Sequence, residues 1–343
     1  MYYFDSTMID GPIYMHQVGN KLNGEPLILS SEELSISQAA LRCIKRYFLS
    51  SFKKEEYYCF WHHSSLLMNE VYCYIKSIFE DLTSIESNSK YLAKSLYSRC
   101  SNSNIKGGDF YIVHFRNCLV DSQMVDAIGL FKSENKDSFL QVSRKGNGFE
   151  ILEEKGININ KLDKGCLIFN TDSNGGYTSI IIDNSNRTEA KYWVEDFLGM
   201  KRKQDAYTQS QNAIALCKSF LSQLPIENSK AEKAIMMNRV IDGLNSNSVN
   251  IDDLATYAFG QEIAESSFKS FRCDYQEQNE IIFSDNFEGK PECVRKSAIN
   301  NLRTLRLDNN FVVSIRGGEE LLENGYDEKT GMKYYKLYFN MEK

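Results

Sequence analysis

The pattern of hydrophobic and polar positions in the first hundred residues predicts a hairpin followed by three helices. The run IYMHQV (13–18) alternates as a strand does, and glycines and asparagines separate it from a second apolar run, PLILS (26–30). Apolar residues then recur every three or four positions in three segments, which is the spacing of amphipathic helices. These segments are SEELSISQAALRCIKRYFLSSF, NEVYCYIKSIFEDL and SKYLAKSLYSRC. We expect the first helix to begin at Ser30 or Ser31.

From about residue 107 the period changes. Short apolar or alternating runs are separated by clusters of Gly, Asn, Asp or Ser, which is the pattern of a mostly antiparallel sheet. The runs are GGDFYIVHF, MVDAIGLFKS, SFLQVSR, FEILEE, CLIFN and YTSIIID. They predict a sheet of about six strands.

The helical pattern returns after residue 204. It extends through AYTQSQNAIALCKSFLSQL, SKAEKAIMMNRVIDGL, IDDLATYAFG and EIAESSFKSFRCDY, and the chain ends with two strand-like runs, TLRLDNNFVVSI and MKYYKLYFN. We therefore predict an α+β protein with two domains. Residues 1–204 form a mostly antiparallel sheet with flanking helices, and residues 205–343 form a mainly helical domain that ends in strands.

The chain has a net charge of −6 over its 343 residues, which opposes the basic footprint of most nucleic-acid-binding proteins. Contact with DNA would therefore depend on local basic groups. No apolar run approaches the roughly 20 residues of a membrane-spanning helix, and the N-terminal residues lack the features of a signal peptide, so we expect a cytoplasmic protein. The nine cysteines show no metal-ligand spacing, and neither a metal nor a cofactor is predicted.

Basic residues are concentrated in two places. The densest group, Lys201, Arg202 and Lys203, lies between two predicted helices. A second group is spread over a C-terminal stretch. It comprises Arg295, Lys296, Arg303, Arg306 and Arg316. Such residues can neutralise phosphates and make DNA binding depend on salt, although an ordinary solvated surface has the same composition.

Asp183, Glu189 and Lys191 have the order of residues found in some metal-dependent nucleases. That chemistry requires Glu189 and Lys191 to lie on one face of a strand, since residues two apart share a face only in β structure. The apolar residues that follow have helical spacing, and Asn186 with Glu189 fits a helix-capping box. We therefore expect a strand that ends at Asp183 and a helix that buries Trp193. A metal-dependent nuclease is the alternative.

The histidines and glycines give no further catalytic signal. His62 and His63 are adjacent and point apart, and His114 lies within a predicted strand without a nucleophile motif. The sequence contains no nucleophile elbow, phosphate-binding loop or zinc-protease motif. We predict no catalytic residue.

Four blocks of sequence stand out together: GGDFYIVHF, VDAIGLFKSENKDSFLQV, GININKLDKGCLIFN and IIIDNSNRTEAKYWVEDFLGMK. In order and spacing they resemble the NdpA type of bacterial nucleoid-associated protein, and weaker likeness extends to HQVGNKL and GYDEKTGMKYYKLYF. The resemblance implies a non-enzymatic protein of the cytoplasm and nucleoid that binds double-stranded DNA in an architectural or regulatory role, without a cofactor. Recruitment to DNA by a protein partner is a further alternative, and homo-oligomerisation is left open.

Overall fold

The structure is a computed structural model of the whole chain. It describes residues 2–52, 56–100, 102–184, 191–224, 230–279, 281–290, 293, 304–315 and 321–341. The chain forms two compact units, residues 1–203 and 204–343, called here the N-terminal and C-terminal units.

The N-terminal unit is built on a nine-stranded antiparallel sheet. The strands of this unit are β1 (Tyr2–Tyr3), β2 (Met8–Val18), β3 (Leu27–Ile28), β4 (Tyr57–Phe60), β5 (Gly108–Val120), β6 (Gln123–Ser133), β7 (Asp137–Lys145), β8 (Gly148–Gly156), β9 (Lys164–Phe169), β10 (Thr178–Asp183) and β11 (Met200–Arg202). The sheet has the order β11-β4-β10-β9-β6-β5-β2-β3, and β1 pairs with β5. Strands β7 and β8 form a separate hairpin.

Both faces of the sheet are buried, as the adjacent residues Ile112 and Val113 on β5 show, because neighbours on a strand point to opposite faces. The covering helices are α1 (Gln38–Leu49), α2 (Glu70–Glu80), α3 (Ile85–Ser98) and the π-helix Tyr192–Phe197. Helices α2 and α3 and the π-helix pack with Ile112, and α1 packs with Val113. On the α1 side, Phe48 stacks on Phe131 with ring centroids 4.2 Å apart.

The first helix begins later than the sequence predicted. Helix α1 starts at Gln38 with Ser37 as its cap, instead of at Ser30 or Ser31. The backbone N–H of Ser30 donates to the ring of His16, and that of Leu34 donates to the carbonyl of Ile13. These long-range bonds use backbone donors at the predicted helix start, and this segment lies next to β2.

The sheet contains more strands than the six predicted, and it is composed differently. The predicted runs SFLQVSR and FEILEE became the separate β7–β8 hairpin, while short strands before residue 61 and after residue 199 joined the main sheet. The predicted N-terminal hairpin is confirmed by the pairing of β2 with β3. The α+β class is also confirmed.

The C-terminal unit is mainly helical and ends in strands. Its elements are α4 (Ala206–Gln223), α5 (Lys230–Gly243), α6 (Ile251–Phe259), α7 (Gln261–Ile263), the π-helix Ala264–Phe268, α8 (Lys269–Asn279), β12 (Thr304–Leu307), β13 (Phe311–Ser314), β14 (Leu322–Asp327) and β15 (Met332–Leu337). Phe220, Phe259 and Phe268 meet in its core with ring centroids 5.2–5.4 Å apart. The strands pair as two hairpins, β12–β13 and β14–β15.

Candidate nucleic-acid interface

The basic group Lys201–Lys203 lies at one edge of the main sheet. The sequence placed it between two helices, but its first two residues belong to β11, which pairs with β4 through Lys201 opposite Cys59 and Arg202 opposite Tyr58. The backbone N–H of Lys203 continues this pairing by donating to Tyr57. Because side chains alternate along a strand, Lys201 and Lys203 project to one face and Arg202 to the other.

Two of the three cations are already paired with carboxylates. The Nζ atom of Lys203 lies 2.7 Å from Oδ2 of Asp172 and 2.9 Å from the hydroxyl of Thr178. The guanidinium of Arg202 lies 3.6 Å from Oε1 of Glu56. These contacts reduce the charge that Arg202 and Lys203 offer to an incoming phosphate.

Lys201 is exposed, and its Nζ lies 4.8 Å from the ring centroid of Trp61, within the range of a cation–π contact. Across the described parts of the chain, Lys201 forms no ion pair. Trp61 follows β4 and is 47% exposed. The exposed cation and the exposed aromatic ring therefore form one surface feature.

A cavity of about 240 Å³ adjoins this feature and mixes both signs of charge. Trp61, His62 and Arg99 line it together with the acidic residues Glu70, Glu195 and Asp196. We call Trp61, His62, Arg99 and Lys201 the Trp61 surface. Sequence reasoning missed Trp61, although its place in the polar run WHHSS was a signal, since binding residues often lie on loops.

The second basic group is described at only one of its five positions. Arg306 lies on β12, is exposed and pairs across the hairpin with Val312. The other four lie outside the described residues. They are Arg295, Lys296, Arg303 and Arg316.

Asp183, the first residue of the nuclease alternative, belongs to a buried ionic network. Its Oδ1 lies 3.1 Å from Nζ of Lys164, which is also 3.8 Å from Oε2 of Glu134. Oε1 of Glu134 accepts a hydrogen bond from Nζ of Lys132 at 2.9 Å. All four side chains are at most 6% exposed. Burial raises the pKa of Glu134, and the ammonium groups of Lys132 and Lys164 oppose this rise.

Lys191, the last residue of the nuclease alternative, faces solvent. Its side chain is 67% exposed, and its Nζ lies 3.8 Å from Glu195 one turn further along. Glu189 and the predicted cap Asn186 lie outside the described residues. The ion pairs of Asp183 and Lys191 with other residues argue against a shared metal site. Among the described residues, no group of three or more His, Cys, Asp or Glu could hold a metal ion.

Burial of Trp193 is confirmed, since its side chain is fully buried and meets the ring of Phe110 edge-on. The helix itself differs from the α-helix that the sequence predicted. The N–H of Leu198 donates to the carbonyl of Trp193 five residues earlier, at 3.1 Å. This is the hydrogen-bond pattern of a π-helix.

The histidines have structural surroundings. His114 is 5% exposed, its Nδ1 lies 3.1 Å from the carbonyl of Asp10, and its Nε2 lies 3.6 Å from the carboxylate of Asp126. The ring centroids of His62 and His63 are 4.2 Å apart, so the two side chains lie beside each other and the expectation that they point apart was wrong. The nine cysteines are free thiols, and burial raises the pKa of Cys118 to about 11, which disfavours the nucleophilic thiolate.

Comparison with known proteins gives a family match over most of the chain. A family model described as nucleoid-associated protein YejK, a protein also called NdpA, matches residues 15–322. No curated protein matches the chain. Within the described residues, no helix is both long and apolar enough to cross a membrane.

Proposed function

The chain belongs to the nucleoid-associated protein YejK family, and we propose on this basis that it binds double-stranded DNA, largely through phosphate contacts. Its role is architectural or regulatory, without catalysis or a cofactor, in the cytoplasm at the nucleoid. The observation that carries the proposal is the exposed Lys201 on the edge strand β11, whose ammonium group has an aromatic neighbour, Trp61, and no carboxylate partner among the described residues.

Local charge has to supply the affinity, because the net charge of −6 repels the DNA polyanion at long range. Lys201 and Arg99 provide cations on the Trp61 surface, and Trp61 adds a ring that can pack on the sugar–phosphate backbone. The three carboxylates of the adjoining cavity disfavour entry of a phosphate there. The DNA backbone therefore contacts the part of the Trp61 surface that carries Lys201.

Further phosphate contacts in this proposal come from Arg202 and Lys203 and from the C-terminal basic group. Arg202 and Lys203 retain donors but must share them with Glu56 and Asp172. Arg306 is exposed on its hairpin. Contacts of this kind carry no base information, so the affinity should vary little with DNA sequence.

Duplex binding measured by fluorescence anisotropy between low and physiological salt tests the proposal. We expect binding at low salt that weakens as salt rises, because protein binding releases counterions from the DNA and added salt opposes that release. The triple variant Lys201→Glu, Arg202→Glu, Lys203→Glu should bind all duplexes more weakly. Absence of binding at low salt by a folded sample would refute direct DNA contact.

A second candidate function is recruitment to DNA by a protein partner. The acidic balance of the chain and the carboxylate pairing of Arg202 and Lys203 favour it. It predicts weak DNA binding by the isolated chain and a protein that co-purifies with it from cells. If adding that protein then restores strong binding, recruitment replaces direct contact.

A further inference from the structure

The hairpin of β7 and β8 is a separate part of the N-terminal unit. Its two nine-residue strands pair with each other in register from Asp137 opposite Gly156 to Lys145 opposite Gly148. Neither strand pairs with the nine-stranded sheet. Isolated two-stranded hairpins are marginally stable in water, so this one gains from any surface that covers it.

One face of the hairpin is apolar and exposed to solvent. Directly opposite residues share a face, which places the pairs Leu140–Glu153, Val142–Ile151 and Arg144–Phe149 side by side along it. The four apolar side chains of these pairs are 63% to 79% exposed. Exposed apolar side chains that adjoin one another mark interaction surfaces more often than scattered ones do.

The opposite face satisfies its polar groups within the hairpin. Oε2 of Glu150 accepts a hydrogen bond from Nζ of Lys145 at 2.7 Å, and its Oε1 accepts one from the hydroxyl of Ser143 at 3.2 Å. On the apolar face, Arg144 and Glu153 are exposed and form no ion pair within the described residues, and Lys155 at the base of the hairpin is a third such charge. The opposite face also carries two exposed apolar side chains, Phe139 and Leu152, so the two faces differ in the number and the exposure of their apolar side chains.

We propose that the apolar face of the hairpin docks against the same face of a second copy of this chain. Residues 137–156 carry four acidic and three basic side chains, so the hairpin has a net charge of −1 and no attraction for DNA phosphates. An apolar, nearly neutral face fits a protein surface better than a polyanion.

The charge pattern selects a copy of the same face. Arg144 lies two residues beyond the central pair Val142–Ile151 toward the turn, and Glu153 lies two residues from that pair toward the base. A two-fold axis through the centre, with the hairpins antiparallel, sets the turn of one copy over the base of the other. Arg144 of each copy then approaches Glu153 of the other, twice by symmetry, while the apolar side chains meet between them.

The dimer should be weak. Nine residues at about 3.4 Å each give a face roughly 30 Å long and about 10 Å wide, hence about 300 Å² from each copy. Stable interfaces bury about 800 Å² from each partner, so we expect a reversible dimer with a dissociation constant in the micromolar range.

Charge reversal on one side of each ionic contact tests the arrangement by analytical ultracentrifugation of the full chain. In the variant Arg144→Glu, two glutamates face each other at each end of the dimer, and in Glu153→Arg two arginines do. Each variant alone should therefore dimerise at least tenfold more weakly. An equimolar mixture of the two variants restores an opposite-charge pair at both ends. The mixture should therefore form heterodimers about as well as the wild-type chain forms homodimers.

The matched control is Glu154→Arg, which reverses a charge on the adjacent residue of the same strand but on the other face. It should leave the dimer unchanged, and circular dichroism should show the wild-type spectrum for all variants. A wild-type chain that stays monomeric up to about 100 μM would overturn the proposal. So would a dimer that neither single variant weakens, or a mixture that fails to recover association.

Discussion

Nζ of Lys164 lies 3.1 Å from Oδ1 of Asp183, and the two buried side chains come from directly opposite positions on the neighbouring strands β9 and β10. A buried ion pair adds little net stability, because desolvation of both charges offsets their attraction. Loss of one partner is different, since the buried network of Lys132, Glu134, Lys164 and Asp183 then has one charge that is not balanced. The pair therefore makes the fold sensitive to single substitutions at either position.

We predict that Lys164→Met or Asp183→Asn alone lowers the free energy of unfolding by about 3–5 kcal/mol. The double variant should be less destabilised than the sum of the two single variants. Urea denaturation followed by tryptophan fluorescence measures this, since both tryptophans, Trp61 and Trp193, lie in the N-terminal unit. Lys145→Met, which breaks an exposed pair with Glu150, is the control and should cost about 1 kcal/mol or less. Additive effects of the two buried substitutions would contradict the coupling.

Acid should destabilise the N-terminal unit through His16. Its Nδ1 accepts from the N–H of Ser30, which leaves the proton on Nε2, 3.0 Å from the hydroxyl of Ser89. Burial, with a smaller effect of Lys90, lowers the pKa of His16 from 6.5 to about 4. Between these values the unfolded chain binds a proton that the folded chain does not, so stability falls as pH falls through this window.

The loss from His16 amounts to at most about 3–4 kcal/mol below pH 4, and its contribution is unaffected above the unfolded pKa near 6.5. Urea midpoints of the wild type and of His16→Gln, measured from pH 7.5 to 4, check this. The variant should show a flatter dependence on pH, whatever its absolute stability. Parallel curves for the two proteins would exclude His16 as the source.

Lys201 should contribute more to DNA binding than another lysine in a similar contact. Lys201→Ala should weaken duplex binding roughly fivefold at low salt and reduce the salt slope by about 1, the loss of one phosphate contact. The matched control is Lys94→Ala, since Nζ of Lys94 lies 5.6 Å from the ring centroid of Tyr91. Fluorescence anisotropy titrations at several salt concentrations give both quantities. Equal losses for the two variants would argue against a specific site at Lys201.

Plasmid DNA should remain intact when incubated with the protein and Mg²⁺ or Mn²⁺. Asp183 is engaged by Lys164, and Lys191 faces solvent beside Glu195, so these residues do not form a metal-bound catalytic set. Gel electrophoresis at high protein concentration detects nicking or linearisation. Cleavage that persists after further purification and disappears in a folded Asp183→Asn variant would reinstate the nuclease alternative.

Local signals in the sequence were sufficient for several elements. The apolar spacing after Asn69 predicted α2, and the Asn69 side chain caps that helix by accepting from the N–H of Tyr72. The alternation of residues 13–18 predicted β2, which is longer in the structure. Such elements follow from sequence because side-chain spacing and caps act within a few residues.

The late start of α1 and the separation of the β7–β8 hairpin were not predictable in the same way. The first depends on hydrogen bonds from Ser30 and Leu34 to residues of β2. The second depends on which strands pair. Strands of the main sheet such as β5 and β9 contain continuous apolar runs because both their faces are buried, whereas β7 and β8 are richer in polar and charged residues. That difference was an available signal, but it does not say which strands pair.

The sequence by itself determined the α+β class, the change from strands to helices after residue 204, and the family likeness, because these depend on local periodicity and on blocks of residues in order. Only the tertiary structure decided what each charge does. Lys203 meets Asp172 across 31 residues, while Lys201 meets Trp61 instead of a carboxylate. Three adjacent cations in the sequence thus have different electrostatic environments, because pairing between distant strands sets each one's neighbours.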